Sequence, residues 1–593
     1  MQKFFFPAAF IFSFIIACFI SCSESSEIEY TSIALEDTYS DTDSGVFYPS
    51  TSGYVDLSYT LDLGSSEKDV YFVLTNRSLS SSTSLHDFNA GDERSPDFSQ
   101  ALDIENEDIS GENTDHSFYA QRGSDGISDY NRRPISSSTS LSQAAIELQS
   151  PQYAVNDAVD DEQTFMIEKD ESVEATCQYT DTISTDNGDK TLNIWVADDC
   201  WYDGGTKSYK ISPAMVTALA DEFLLAGTDN DIYDWVSTIF GEEWGTHGYG
   251  SQLIQPDDNI TILLFDIDGD DNAFLSKGYV AGYFYSKDNF LTSDVSFSNE
   301  RIMFYIDAVA FAYPDNTWGI TDPLPADTVL TLAHELQHMI HFYQKNVTRV
   351  ADGSGTQTWI NEMCSLITED LMCQKLGAAF YGPRGIPGNN PGDVNSPITK
   401  GWLPYYAYYD DRSLTLWGED DLALDYCTAY AAAAYLARNY GGTELFRNIV
   451  HNGYTDVRAV TEPIEDMTGE AVTFETILRM WGAAMLLSDT VYDSSSPGVF
   501  EGLIMNNGDS DWFESTVSGD TYYLGSINID NYSYKVNGYT RYGLKLYTPS
   551  TISSSGKLPA SANRYVRVSE SATGVNTWNI LLDKNTRLTV VVK

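Results

Sequence analysis

Basic residues are scarce in this chain. Lysine and arginine number 33 against 87 aspartates and glutamates, for a formal net charge of -54. Like-charge repulsion excludes nucleic acid and anionic lipid surfaces as partners, and acidity of this extent fits solubility outside a cell. Long apolar runs are absent after the first twenty residues, so no later stretch is read as a membrane span. Histidine is rarer still, at seven residues. What the chain does have is a 42% hydrophobic fraction with 13% aromatics over 593 residues. That is enough to bury several cores and too long for one.

The one apolar run lies at the start. Lys3 is followed by Phe4 to Ile20, broken by Pro7 and Ser13, and then by Ser21-Cys22-Ser23-Glu24. This reads as an export signal. It resembles a bacterial lipoprotein signal, which implies cleavage before Cys22 and acylation of that cysteine; Cys18 is the weaker alternative because Phe19 and Ile20 continue the apolar run. Five cysteines remain, an odd number, so at least one is unpaired within the chain. Cys177 and Cys200 flank "TDNGDK", where a hairpin disulfide is expected, whereas Cys364 and Cys373 are expected as buried thiols on one helix.

Composition divides the chain further. A signal segment occupies 1–22, and alternating strands such as "YVDLSYTLDL" make 23–77 a small β module. Residues 78–160 are rich in Ser, Asp, Asn and Gly and are expected as a disordered linker. Between 161 and 510, "TLNIWVADD", "NITILLFDIDG", "GYVAGYFYS" and "RIMFYIDAVAF" read as strands; Ser212-Pro213 opens one helix and Asp229 another, and Gly441 stops a third. From 511 to 593 strands such as "RYVRVSE" and "RLTVVVK" indicate a C-terminal all-β, sandwich-like module.

Three of the seven histidines fall within "TVLTLAHELQHMIHFYQK". The stretch predicts a helix capped by Asp327 and running through Gln344. His334 and His338, four apart, lie one turn above the other, so their imidazoles can converge on one ion. Glu335 sits roughly 100° round the helix from His334 and can reach a water on that ion without ligating it. His341 is roughly 10 Å of helix rise from His334, too far to share the ion. Glu362 in "WINEMCSLITED" supplies the third ligand, which leaves a fourth zinc position open, as catalysis requires. "DIDGDDN" at 266–272 lacks the glycine of a calcium loop at its sixth position and has Lys277 where the bidentate glutamate belongs, so it reads as an acidic turn.

With H-E-x-x-H followed by W-I-N-E, the chain resembles the glutamate-zincins. More narrowly it resembles the hyicolysin-type neutral metallopeptidases through "LAHELQHMI", "WINEM", "LLFDIDGDD" and "SNERIMFYID". The likeness spans roughly residues 191–489. It implies a multidomain fold, an α+β zincin-like catalytic domain flanked by small all-β modules. It also implies one catalytic Zn²⁺ held by His334, His338 and Glu362, with Glu335 as the base.

A tyrosine or histidine that stabilises the oxyanion is also implied, and Tyr426, Tyr430 and His451 are the candidates. Where some relatives of this type carry an aspartate four residues after the glutamate, this chain has Leu366; Ser365 or Glu369 could orient a histidine instead. The function expected is a secreted or surface-anchored zinc endopeptidase acting on proteins or peptides, touching a membrane only through its anchor. The alternative is a non-catalytic surface binding lipoprotein on the same scaffold. A zinc aminopeptidase is disfavoured because "GYVAGYFYSKDN" lacks a G-x-M-E-N signature.

Overall fold

A computed structural model of the chain describes residues 28–40, 44–88, 127, 130–133, 135, 155–273, 279–350, 354–377, 401–418, 422–492, 494–495, 501–508, 513–536 and 539–593. The signal segment, Cys18 and Cys22 lie outside these residues, as does most of the stretch expected as a linker.

The chain opens with strands β1 (Thr31–Thr38), β2 (Val46–Phe47), β3 (Val55–Asp62) and β4 (Lys68–Asn76). In β3 every second residue is buried, as an amphipathic strand with one face on a core must be. The central body then begins with β5 (Glu162–Glu168), β6 (Glu171–Thr185), β7 (Gly188–Ala197), β8 (Asn259–Phe265), β9 (Gly282–Phe284) and β10 (Met303–Asp307). These form one six-stranded sheet in the order β5-β6-β7-β8-β10-β9. β7, β8 and β10 run parallel, and β9 closes the edge antiparallel to β10, with Phe284 opposite Phe304. Near-continuous apolar runs in β8 and β10 suit strands covered on both faces.

Helices α1 (Pro213–Phe223), α2 (Ile232–Phe240), α3 (Ala308–Phe311), α4 (Pro323–His341) and α5 (Thr358–Leu376) come with or after these strands. They are followed by α6 (Trp402–Tyr408), α7 (Leu422–Asn439), α8 (Thr443–Val450), α9 (Arg458–Thr468) and α10 (Phe474–Leu486). Ser212 caps α1 through the Met215 amide, and Gly441, at φ 91°, follows α7.

Two helix starts differ from the sequence expectation. The second helix is capped by Asp231, whose side chain accepts from the Asp234 amide, and not by Asp229. α4 begins a full turn before Asp327, at Pro323 with Asp322 at its N-cap. Prolines are tolerated in a first helical turn because the amide they lack has no partner there, so Pro323 and Pro325 do not delay the helix. At its other end α4 passes at Phe342 into a π turn, Phe342–Val347, in place of a straight run through Gln344.

The hairpin β11 (Phe513–Val517) and β12 (Asp520–Leu524) packs on the helices: Tyr522 donates to the Trp235 carbonyl at 2.8 Å. A second hairpin joins β13 (Ser533–Val536) and β14 (Tyr539–Tyr542), and the chain ends with β15 (Leu546–Tyr547), β16 (Asn563–Ala572), β17 (Val575–Leu582) and β18 (Thr586–Val592). β4 lies between β16 and β18, and β3 between β1 and β17. Strands that the sequence divides between 23–77 and 511–593 thus share two sheets facing one core, where Trp578 packs edge-on to Phe72 at 5.4 Å. The two ends of the chain build a single sandwich.

Described parts of 78–160 are packed, against the expectation of disorder for that stretch. Leu85 and Phe88 enter the sandwich core, and Ile127 and Ile135 are buried in the central body.

Candidate metal centre

α4 and α5 pack against one another beneath the sheet, which presents residues of both helices to one point. His334 Nε2 and His338 Nε2 are 3.0 Å apart, and Glu362 Oε2 lies 3.4 Å from each. Among the described residues this trio is the one group of three or more metal-ligating side chains whose donor atoms lie close enough together to share an ion, and all three residues are buried.

The chemistry of the donors tests whether a metal fits. His334 Nδ1 meets Glu369 Oε1 at 2.5 Å, so its proton sits on Nδ1 and its Nε2 presents a lone pair. Ser365 Oγ donates to Gln337 Oε1 at 2.5 Å and lies 3.0 Å from His338 Nδ1, which leaves the serine oxygen free to accept from that nitrogen and His338 Nε2 free to present a lone pair as well. Two lone pairs and a carboxylate oxygen directed at one buried point repel unless positive charge lies between them. A divalent cation fits this set, and nitrogen with oxygen donors at these spacings suits zinc.

Electrostatics show the same demand for positive charge at this point, which protons meet where no cation lies between the donors. Burial disfavours the charged form of His338, but the Glu362 and Glu335 carboxylates raise it to about 9. Burial likewise opposes ionisation of Glu362, yet the two imidazoles hold it down at about 2. Glu335 is 1% exposed, and burial pushes its carboxyl up to about 8, opposed by His338. The backbone N–H of Phe284 on β9 donates to Glu335, which ties this carboxylate to the sheet edge.

The position four residues past Glu362 is Leu366, and Ser365 and Glu369 are the substitutes expected from the sequence. Helical repeat puts the positions three and seven residues on along the same side of α5, and the structure places the orienting groups there: Ser365 on His338 and Glu369 on His334. Gln337, which holds Ser365, carried no recognisable signal in the sequence, and neither did the Phe284 amide, since backbone contacts leave no residue-type pattern.

Of the three oxyanion candidates, Tyr426 alone reaches the centre. It is buried on α7, hydrogen-bonded to Glu362, and held between Trp402, stacked at 5.7 Å, and Trp417, edge-on at 5.1 Å. Tyr430 instead donates to Asp370 at 3.0 Å beside Arg438, and His451 Nε2 pairs with the Phe240 carbonyl at 2.7 Å. His341 is buried and pairs with Thr356 Oγ1 at 3.0 Å, apart from the trio, as its helical rise requires.

The acidic stretch at 266–272 forms two 3₁₀ turns whose Asp266 pairs with Lys207 at 2.6 Å; Lys277 lies outside the described residues. Cys177 and Cys200 are both unbonded and buried, so the expected hairpin disulfide is absent. Register explains it: Cys177 faces Trp195, and Cys200 falls beyond the end of β7 in a 3₁₀ turn. Cys364 and Cys373 are buried and form no disulfide, and Cys373 Sγ donates to the Glu369 carbonyl at 3.2 Å.

A mixed sheet over an H-E-x-x-H helix, with a glutamate on the next helix completing the donor set, defines a metal-binding α+β domain. Residues 170–502, more than half of the chain, match the family model Peptidase M30, and the chain belongs to that family. Over 270 residues it is 26% identical to the neutral metalloprotease ShpI of Staphylococcus hyicus. That similarity covers 44% of this chain and 49% of the relative, so the chain spans about half the length of the curated protein it matches.

Proposed function

We propose that the chain is a zinc-dependent endopeptidase that hydrolyses peptide bonds of proteins, exported and either held at the bacterial envelope through acylated Cys22 or released. The catalytic unit is assigned to 161–510. The observation that carries this reading is the convergence of His334, His338 and Glu362 with Glu335 buried beside them. Membership of Peptidase M30 supports it, as does similarity to a protein named a neutral metalloprotease.

His334, His338 and Glu362 would hold the zinc, which when bound supplies a Lewis acid that activates water and polarises the scissile carbonyl. Glu335 takes the proton from the attacking water, and its site favours holding that proton because burial raises its affinity. The same carboxyl then gives the proton to the departing amine nitrogen as the C–N bond breaks. The Tyr426 hydroxyl donates to the oxyanion as it forms, a role supported by its burial beside Glu362. Glu369 and Ser365 fix the two imidazoles so that none of this geometry has to be found during the reaction.

A non-catalytic binding lipoprotein would have no use for a buried, proton-holding Glu335. The test is metal analysis of the protein together with cleavage of a quenched-peptide library. Stoichiometric zinc, with cleavage lost to a chelator and restored by zinc, is expected; a zinc-loaded protein that cleaves no peptide would leave the binding alternative.

A further inference from the structure

The chain upstream of the central sheet returns to the metal centre. The side-chain amide of Asn131 donates to the Phe284 carbonyl at 3.0 Å, and its oxygen accepts from the Ser286 amide at 2.7 Å. Phe284 ends β9 at the free edge of the sheet and Ser286 opens the 3₁₀ turn that follows, so Asn131 takes the last edge carbonyl of the strand, a group an added strand would use, together with the first amide of that turn. The same Phe284 gives its own N–H to Glu335, so Asn131 sits one peptide unit from the assigned base.

Neighbouring groups hold this stretch from the other side. Asn346 Nδ2 donates to the Asn131 carbonyl at 3.2 Å, and the Gly355 amide to the Arg132 carbonyl at 3.1 Å. Gly355 lies three residues before α5, and any side chain there would collide with the Arg132 backbone. Tyr130 packs edge-on against Tyr285 at 5.3 Å, and Arg133 lies over Phe290 at 5.4 Å. Tyr130–Arg133 therefore bridges the edge strand that contacts Glu335 and the loop that leads into the helix bearing Glu362.

We infer that Tyr130–Arg133 is an internal inhibitory segment: it occupies the edge of β9 where an extended peptide would pair, so full activity requires its release. The inference rests on the peptidase assignment above. Its occupant is part of this chain, flanked in sequence by the polar stretches 89–126 and 136–154, whose cleavage would free it. One cut would not, because β4 upstream is locked between β16 and β18 and would keep the segment tethered.

The test places recognition sites for an unrelated protease in both flanking stretches of the full chain. kcat/KM on a quenched peptide and hydrogen exchange over Phe284–Ser286 are followed before and after cutting, with Asn131→Ala as a second variant. Release should speed exchange of the Ser286 amide and raise kcat/KM by roughly ten-fold or more, the factor two lost neutral hydrogen bonds correspond to. A synthetic peptide, ISDYNRRPI, should reverse both changes. Faster exchange with unchanged kcat/KM would overturn the inhibitory role. So would a Ser286 amide that stays protected in the cut Asn131→Ala protein, since the segment would then be a fixed part of the fold. Faster exchange with no peptide cleavage in either form would overturn the peptidase assignment and the inhibitory role with it, while confirming that the segment can leave.

Discussion

Glu369 Oε1 lies 2.5 Å from His334 Nδ1, with both side chains buried. A carboxylate in this position fixes the tautomer and the ring plane of a metal-binding imidazole and raises its basicity. Seven residues separate Glu369 from Glu362, two helical turns along α5, so a single helix supplies both the carboxylate of the candidate trio and the group that orients one of its imidazoles.

Removing that orienting carboxylate should weaken the metal more than the fold. Glu369→Gln keeps volume and a hydrogen-bond acceptor but loses the charge; zinc affinity measured against a competing chelator should fall about 10- to 100-fold, with circular dichroism unchanged. Unaltered affinity would show that the contact does not tune the site.

Glu335→Gln separates binding from chemistry. Zinc content should remain stoichiometric while kcat on a peptide substrate falls about 10²- to 10⁴-fold, the usual contribution of a positioned acid–base group. Residual activity near the wild-type level would move the base elsewhere.

Tyr426→Phe removes one hydroxyl from a ring clamped between Trp402 and Trp417, so the ring itself should stay in place. If the hydroxyl meets charge that develops only in the transition state, kcat should drop roughly 10²-fold with KM nearly unchanged. A rise in KM at constant kcat would instead assign Tyr426 to ground-state binding.

Lys345 gives a prediction about pH that is independent of the metal. Its ammonium is buried against the Ile449 carbonyl at 2.5 Å and Asn452 Oδ1 at 2.9 Å, and burial lowers it from 10.5 to about 7. Below about 7 both the folded and unfolded chains carry the proton, and the cost of burying the charge is fully present. Between there and the ordinary lysine value only the unfolded chain holds it, so this residue makes folding more favourable as pH rises through that window. Thermal melts at about pH 6 and about pH 9.5 should therefore show a larger gain with pH in the wild type than in Lys345→Met. Equal gains would mean that Lys345 stays charged in the fold.

Much of the site was legible because it is local. His334, Glu335 and His338 share one helix, and helical pitch alone decides that two imidazoles stack while the carboxylate lies beside them. Glu362 was legible by resemblance, and Ser365 and Glu369 by counting turns from it. The start of α4 was misplaced by a turn because Asp327 is as good a cap in sequence as Asp322, and nothing local distinguishes them.

What the sequence determined by itself was the pattern of burial along each element and the spacing of the donors, since both follow from backbone periodicities fixed by chain stereochemistry. Tertiary structure alone decided which distant elements meet. β4 pairs with β16 and β18 across roughly five hundred residues, Tyr426 rather than Tyr430 or His451 faces Glu362, and Asn131 finds the edge of β9. Each of these is a choice among competing partners, made by which arrangement buries apolar surface while pairing most buried polar groups, and no short stretch of sequence holds that information.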